Sequence, residues 1–369
     1  MPISTINTNS IADDAVTVPK VTDQVLTHRN LIINGAMQVA QRGTSQALTS
    51  GLFTCDRFKL GWSALDEWVG TMTQVSDSPA GFSNSLKFTT TTPETSIASN
   101  EYAYFGQWIE AQNLQHLKFG SASAQSLTVS FWVKSSITGV FGQSIYSADS
   151  VRIANATYTI NAVNTWEYKT ITYTGDTSGA INNDNGEGLR VVWSIAAGTD
   201  LNSDPTNNAF EAYTDAKWAG GHVQNGIVTT TNATIQFTGL QLEVGDTATP
   251  FEHRSYGEEL SLCQRYYIEY GKDLNANGPT AFRAPLFDAN TINSGYCFAQ
   301  VDLPVDMRTS GTFTAYRATN GSGANLNNTN WGPFTSAANQ RHIMLQKHTD
   351  SMTGNQTTVY LMFDMDAEL

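Results

Sequence analysis

The sequence predicts a mostly β protein in four parts. These are a short N-terminal segment (residues 1–29), a jelly-roll β-sandwich (30–253), a helical joint (254–270) and a small C-terminal β domain (271–369). Three observations carry that reading. Leu127, Val129, Phe131 and Val133 recur at every second position, and Leu189, Val191, Trp193 and Ile195 do the same, which is the period of a strand with one buried face. Turns rich in Thr, Asn, Gly and Asp separate such runs, with no long helical pattern between them, as in a sandwich or jelly roll. The one helix-like stretch is short and lies between two β regions.

The first segment holds no Phe, Trp or Tyr. It contains an echo, in which Ile11, Asp13, Val16 and Thr17 recur as Val21, Asp23, Leu26 and Thr27. One copy cannot bury so few apolar side chains alone. It is either a disordered tail or a stem that orders when several copies wind about an axis. In the sandwich, TIQFTGLQLEV changes phase: Ile235 and Phe237 are odd, Leu240 and Leu242 even, and Gly239 sits at the change. A slip of one at a glycine predicts a β-bulge. Pro250 cannot donate a ladder hydrogen bond and stops the strand. Ser255 and Glu258 have capping-box spacing. Tyr256, Leu260, Cys263 and Tyr267 then form one stripe on a helix of about three turns. A helix that short is marginal in water, so its stripe must pack on a β domain or on copies of itself. Beyond it, Tyr296 and Phe298 begin a strand, VDLPVDMR at 301–308 reads as a strand kinked at its proline, and Val359, Leu361, Phe363 and Met365 alternate in a last one. Residues 320–325 are an exposed loop.

Length and composition narrow the function. The 369 residues suffice for two or three domains. Only 14% are charged and the net charge is −13, with no basic cluster to neutralise phosphates, which argues against nucleic-acid binding. An anionic membrane surface would repel the chain, and no apolar run of ~18 residues exists to span one. The three cysteines, Cys55, Cys263 and Cys297, are too few and too scattered for a disulfide framework, so assembly in a reducing cytoplasm is acceptable. MPISTINTNS has no secretory pattern. A β-rich, Asn/Thr/Ser/Gly-rich composition without an export signal suits a protein released by lysis.

Chemistry-bearing patterns are sparse. None of the six histidines makes H-x-x-x-H or pairs with a cysteine at ligand spacing, so no zinc site is expected. The loop Asp176–Glu187 is rich in oxygen ligands and reads as either a structural Ca²⁺ site or an Asn/Asp/Gly turn; it does not fit EF-hand spacing. No cofactor is called for. There is no G-x-S-x-G. Glycoside hydrolysis needs two carboxyls ~5–10 Å apart. Asp66, Glu67, Glu101, Glu110, Asp184 and Glu187 are candidates, but 33 acidic residues make pairings by chance. Aromatic side chains are better candidates, because sugar C–H faces pack on indole and phenol rings. Trp132, Trp166 and Trp193 lie within strand patterns and read as core. Trp62, Trp68, Trp218 and Trp331, with Tyr213 and Tyr316, lie in polar or Gly-rich surroundings and are candidates for a glycan-binding or subunit-contact surface.

Several phrases resemble known proteins. GLQLEVGDTATPFEHRSYGEELSLCQRYY at 239–267 looks like a joint that recurs in tail fibre proteins of tailed bacteriophages. NLIINGAMQVAQRG, Cys55-Asp56-Arg57-Phe58, LTVSFWVKSS and TWEYKTITYTG resemble the carbohydrate-binding-module-type jelly rolls of phage tail proteins. SIADDAVTVPKV resembles an I-A-D-x-A-V-T-x-x-K repeat of trimeric fibre stems. The resemblance is specific at 30–43, 126–136 and 239–267 and loose at 176–232. It implies a homotrimeric virion tail fibre or spike assembled in the host cytoplasm. Residues 1–29 would attach to phage tail proteins, with Ile11, Val16, Val21 and Leu26 in the stem. Tyr256, Leu260, Cys263 and Tyr267 would pack near the trimer axis. The C-terminal domain would be a distal knob, and the partner a host surface polysaccharide or lipopolysaccharide, bound without turnover. A polysaccharide-depolymerising spike and a purely structural connector are the alternatives. The chain departs from long fibres in lacking a coiled coil or repeated shaft.

Overall fold

A computed structural model describes residues 28–270, 282–287, 296–319, 325–326, 332–333, 342–348 and 358–369. The expected stem positions Ile11, Val16, Val21 and Leu26, and Trp331, lie outside the described residues. In chain order the body's strands are β1 (Ser45–Ala47), β2 (Leu52–Phe53), β3 (Lys59–Ser63), β4 (Val69–Val75), β5 (Ser85–Thr92), β6 (Tyr102–Glu110), β7 (Leu127–Ser135), β8 (Gly139–Ser147), β9 (Arg152–Ile160), β10 (Glu167–Tyr173), β11 (Glu187–Ala197), β12 (Glu211–Ala212) and β13 (Thr234–Val244). They form two antiparallel sheets. Sheet I has the order β1-β4-β5-β13-β7-β10 and sheet II the order β12-β9-β8-β11-β6-β3-β2.

The alternation read from the sequence is the packing between these sheets. Leu127, Val129, Phe131 and Val133 of β7 and Leu189, Val191, Trp193 and Ile195 of β11 are fully buried. Phe131 and Trp193 meet edge to face at 5.7 Å, and Phe105 and Phe237 pack with tilted rings at 4.5 Å. Each such side chain contributes about 1.5–3 kcal/mol by leaving water. Two of the tryptophans read as core are not there. Trp132 has the opposite parity to the buried residues of β7, so it faces outward from sheet I, half-buried beside Tyr168 at 5.3 Å. Trp166 precedes β10 and is half-buried beneath the Lys134 ammonium, 5.7 Å from its ring centre.

The bulge falls where the phase slip placed it. Gly239 has φ +62°, and the pairing of β13 with β7 shifts between Thr238 and Gln241. The slip has a purpose in the fold. Before it, Thr234–Phe237 pair with β5; after it, Leu240 and Leu242 bond residues 30–35 instead. Gly35 is obligatory at that crossing, because a Cβ would stand 2.1 Å from the Leu240 carbonyl oxygen.

Two one-turn helices, α1 (Thr199–Asn202) and α2 (Gly226–Thr229), precede the joint helix α3 (Tyr256–Gln264). Ser255 caps α3, its hydroxyl accepting from the Glu258 N–H at 3.3 Å. The expected stripe is only half right. Tyr267 is not on the helix; it opens β14 (Tyr267–Tyr270). Cys263 is fully buried, but Tyr256 is 57% exposed and Leu260 partly covered. Glu259 takes the buried line in place of Tyr256, because its carboxylate accepts the Asn34 N–H at 2.5 Å and lies 3.4 Å from Arg254.

Around α3 the body meets the C-terminal unit in a dense polar seam. Arg57, 2% exposed, pairs with Glu368, donates to the Trp108 carbonyl at 2.6 Å and stacks 3.3 Å over Tyr266. Arg42 lies 3.5 Å over Tyr267 and pairs with Asp366 at 3.1 Å. Arg265 makes two 2.7 Å bonds to Glu110, which also accepts from the Tyr266 hydroxyl at 2.6 Å. Asn34 donates to the Asp56 carbonyl at 3.0 Å, and Gln41 bonds both the Asp56 carboxylate at 2.9 Å and the Tyr267 carbonyl at 2.8 Å. Burial pushes Asp56 up to about 6 against the hydrogen bonds from Gln41 and the nearby Arg42 charge. Burial also raises the Cys55 and Cys263 thiols, so neither is a thiolate near neutral pH.

The C-terminal unit adds β15 (Phe282–Phe287), β16 (Tyr296–Asp302), β17 (Thr312–Thr319), β18 (Asn325–Leu326), β19 (Gly332–Pro333), β20 (His342–His348) and β21 (Thr358–Asp366). Their order is β18-β17-β21-β15-β16-β20-β19, with β14 also on β21. β16 stops at Asp302 rather than running on through 308, since Pro304 cannot join a ladder.

Candidate functional site

The outer face of sheet II carries an aromatic surface. In β6, Ala103, Phe105 and Ile109 fill the core, so Tyr102, Tyr104, Gly106 and Trp108 point the other way. Strand register sets their neighbours. Trp108 lies opposite Arg190, which lies opposite Tyr146; Gly106 lies opposite Val192 and Lys59; Tyr104 lies opposite Gly61. Tyr102 and Tyr104 are close to parallel, 13° apart with centres at 5.8 Å. Tyr104 lies across Gly61, where a Cβ would come within 2.6 Å of its ring. The glycine lets the ring lie flat on the sheet.

The chain between β12 and α2 covers the other half of this face. Trp218 and Ala219 cluster there with Ile153, Val192, Ala197 and Leu201. Trp218 presents edge-to-face contacts to Tyr104 at 5.2 Å, Tyr146 at 6.3 Å, Tyr102 at 6.4 Å and Tyr213 at 6.4 Å. It forms a wall beside the tyrosine floor. The indoles of Trp108 and Trp218 are largely covered, at 5% and 7% exposure, whereas Tyr102, Tyr104, Tyr146 and Tyr213 are half-buried and offer ring surface.

Two cations border the rings. The Arg190 guanidinium lies 4.9 Å from the Trp108 centre and 5.4 Å from Tyr146, held by two bonds to Glu187 at 3.0 and 2.9 Å. The Lys59 ammonium lies 5.0 Å from the Trp108 centre and 6.0 Å from Phe53. Burial raises the Tyr104 phenol, and burial with the bond to Asp215 raises Tyr213, so both hydroxyls stay protonated. Beyond Ala197, which lies opposite Tyr102, a groove of about 430 Å³ continues past Ser99, Asn202, His222 and Asn225. Burial pushes His222 down to about 4, leaving its imidazole neutral. Flat rings with a hydrogen-bonding rim suit a pyranose, whose C–H face is apolar and whose edge is polar.

Of the aromatic candidates read from the sequence, Trp218 and Tyr213 come together here. Trp62 and Trp68 do not. They pack on each other at 5.3 Å against the sandwich core, and Trp68, 4% exposed, donates its indole N–H to the Thr90 hydroxyl at 2.8 Å. Tyr316 lies on β17 of the C-terminal sheet, far in topology from this face. The residues missed are Tyr102, Tyr104, Trp108, Tyr146 and Arg190. The signal was present in YAYFGQWIE, where Tyr102, Tyr104 and Trp108 share one parity and the core residues Ala103, Phe105 and Ile109 the other.

The polar candidates have structural employment. Asp176 accepts from the Ser178 and Gly179 N–H groups at 2.9 and 3.0 Å and from Arg152 at 2.7 Å, which makes its loop a turn neutralised by an arginine. Among the described residues no group of three or more His, Cys, Asp or Glu side chains could hold a metal ion. Glu67 accepts from Thr95, Glu101 from the Ala98 N–H, and Asp184 from the Gly186 N–H. Burial opposes the Glu110 carboxylate, but its bonds from Arg265 and Tyr266 hold it below the ordinary glutamate value.

No protein-family model and no curated protein matches the chain. Many solved structures resemble the chain at low score, and three of them illustrate the likeness. The enzymatically active domain of tailspike protein 4 of bacteriophage CBA120 is 15% identical at TM-score 0.33, over 58% of this chain. This chain spans about a fifth (21%) of that protein's length. The family 11 carbohydrate-binding module of Clostridium thermocellum, in complex with a β-1,3-1,4-mixed-linked tetrasaccharide, is 12% identical at TM-score 0.28, over 56% of this chain and 99% of that one. TmCBM61, in complex with β-1,4-galactotriose, is 10% identical at TM-score 0.28, over 58% and 99%. At these scores the likenesses carry no argument about ligand or site. The sandwich assignment rests on the two sheets themselves.

Proposed function

We propose that this chain is a non-enzymatic tail fibre protein of a phage virion that attaches to the host by binding surface polysaccharide or lipopolysaccharide. The observation that carries the glycan-binding part is the open half of sheet II, where Tyr102 and Tyr104 lie flat beside Trp108 and the Trp218 wall. The virion part rests on the phrases at 30–43, 126–136 and 239–267. In this reading the chain is a homotrimer, residues 1–29 attach it to other tail proteins, and the C-terminal unit is distal. A shallow face of half-buried tyrosines binds weakly. Three copies in one fibre, and several fibres on one particle, raise the effective affinity by mass action alone.

Binding rather than turnover is favoured by the acids. A glycosidase needs one carboxyl held protonated near neutral pH beside its sugar site, yet Glu110 and Glu67 are shifted down and Glu187 is tied to Arg190. The carboxyls that burial raises, Asp56 and Glu259, are closed inside the seam on Gln41, Asn34 and Arg254. The test is electrophoresis of the purified protein through gels containing host surface polysaccharide, with a parallel reducing-end assay. Retardation without new reducing ends is the expected result; new reducing ends would overturn the non-enzymatic reading, and free migration the binding one. Light scattering should return three times the 40.1 kDa chain mass. Deleting residues 1–29 should keep glycan binding and abolish incorporation into particles.

A further inference from the structure

We propose that Lys59 makes the sheet II face selective for acidic glycans, seating a pyranose on the Tyr102 and Tyr104 rings with a sugar carboxylate against its ammonium. This rests on the glycan-binding reading and names the ligand class of that same face. The chain carries a net charge of −13, yet this face presents two cations, Lys59 and Arg190, both at Trp108. Their circumstances differ. Arg190 is already neutralised by Glu187 in a two-bond pair. Lys59 makes no ion pair among the described residues; its surroundings are the Trp108 and Phe53 rings, and its cross-strand neighbour is Gly106.

The carboxylates along this face are committed elsewhere: Glu187 to Arg190, Glu211 to Lys217, and Asp215 to the Tyr213 hydroxyl. A partly buried ammonium with aromatic partners only keeps N–H donors for a charge-assisted bond. A carboxylate adds to such a bond the attraction of opposite charges, which a neutral hydroxyl lacks. The overall negative charge does not cancel this preference at contact, because charges beyond about 8 Å are screened at physiological salt. A uronic acid fits the geometry, since its carboxylate lies at the ring edge while its C–H face stays free to stack.

The experiment compares three acidic polysaccharides (polygalacturonate, alginate and hyaluronan) with their carboxyl-reduced forms, titrated into the full-length protein at about 150 mM salt. At least one acidic form should bind about tenfold more tightly than its reduced counterpart. K59M should erase that preference, and K59R, which keeps the charge, should restore it. Equal binding of both forms, lost together in Y104A, would overturn the acidic selectivity and leave the platform standing. No binding of any of the six polymers would overturn both. Preference for the acidic form that survives K59M would show that another group reads the carboxylate and would overturn the role of Lys59.

Discussion

β6 serves two regions of opposite character. Its last residue, Glu110, lies in the seam, bonded to Arg265 and Tyr266, while Tyr102, Tyr104 and Trp108 lie on the open face. Trp108 belongs to both, since its carbonyl accepts from Arg57 and its ring bears Lys59 and Arg190. In the seam, each side chain has one geometric task with a named partner: Asn34 for Asp56 and Glu259, Arg57 for Glu368, Arg265 for Glu110. On the face, the rings need only be flat, adjacent and partly uncovered. The difference teaches where specificity of sequence is spent. A buried charged joint tolerates few alternatives, whereas an aromatic surface can be assembled from ordinary outward positions of several strands.

The comparison can be broken most strongly at Arg57. Replacing it by Met strands Glu368, which is 6% exposed on its side chain, without its closest cation. Removing one partner of a buried pair costs about 3–5 kcal/mol. R57M should therefore lower the urea midpoint sharply, and an unchanged midpoint would mean that the seam does not hold the two units together. G61A attacks the other region. The new Cβ displaces only the flexible end of Tyr104, so stability should change by less than about 1 kcal/mol. Glycan affinity should nevertheless fall about tenfold, because the ring can no longer lie flat.

The seam also titrates. The folded-state pKa of Glu110 lies below the unfolded value, so its contribution is present above about pH 4.3 and is lost as pH falls through the lower folded value. Asp56 acts in the opposite sense: its folded pKa of about 6 makes its contribution decline as pH rises from about 4 to 6. Denaturation between pH 3 and 7 should show an acid limb that flattens in E110Q, and an identical limb in the variant would assign it to other carboxylates. The smallest effect belongs to the helix cap. S255A removes one acceptor for the Glu258 N–H and should cost about 1 kcal/mol, visible as a small shift in thermal midpoint.

This division explains what was legible in the sequence. The phrases NLIINGAMQVAQRG, CDRF and RSYGEELSLCQRYY are separated in the chain and converge on the seam, where Asn34 bonds Asp56 and Glu259 and Arg57 stacks on Tyr266. The Gly239 bulge and the Ser255 cap were readable because each rule is local. The stripe on α3 was misread because Glu259 gains a partner from residue 34, which no helical period reports. The binding face was largely missed for a similar reason. Trp218 stood out in its Gly-rich setting, but Tyr102, Tyr104, Trp108 and Tyr146 become a surface only once β3, β6, β11 and β8 are laid side by side. Core and platform tryptophans look alike in sequence, and strand parity alone separated Trp193 from Trp132.

The most direct test of the central claim is the affinity of Y102A/Y104A for host surface polysaccharide, measured on protein whose thermal midpoint confirms a folded sandwich. The account predicts a loss of about tenfold or more, with R57M, once shown to be folded, retaining affinity. Undiminished binding by the double variant would contradict it and move the receptor site off sheet II.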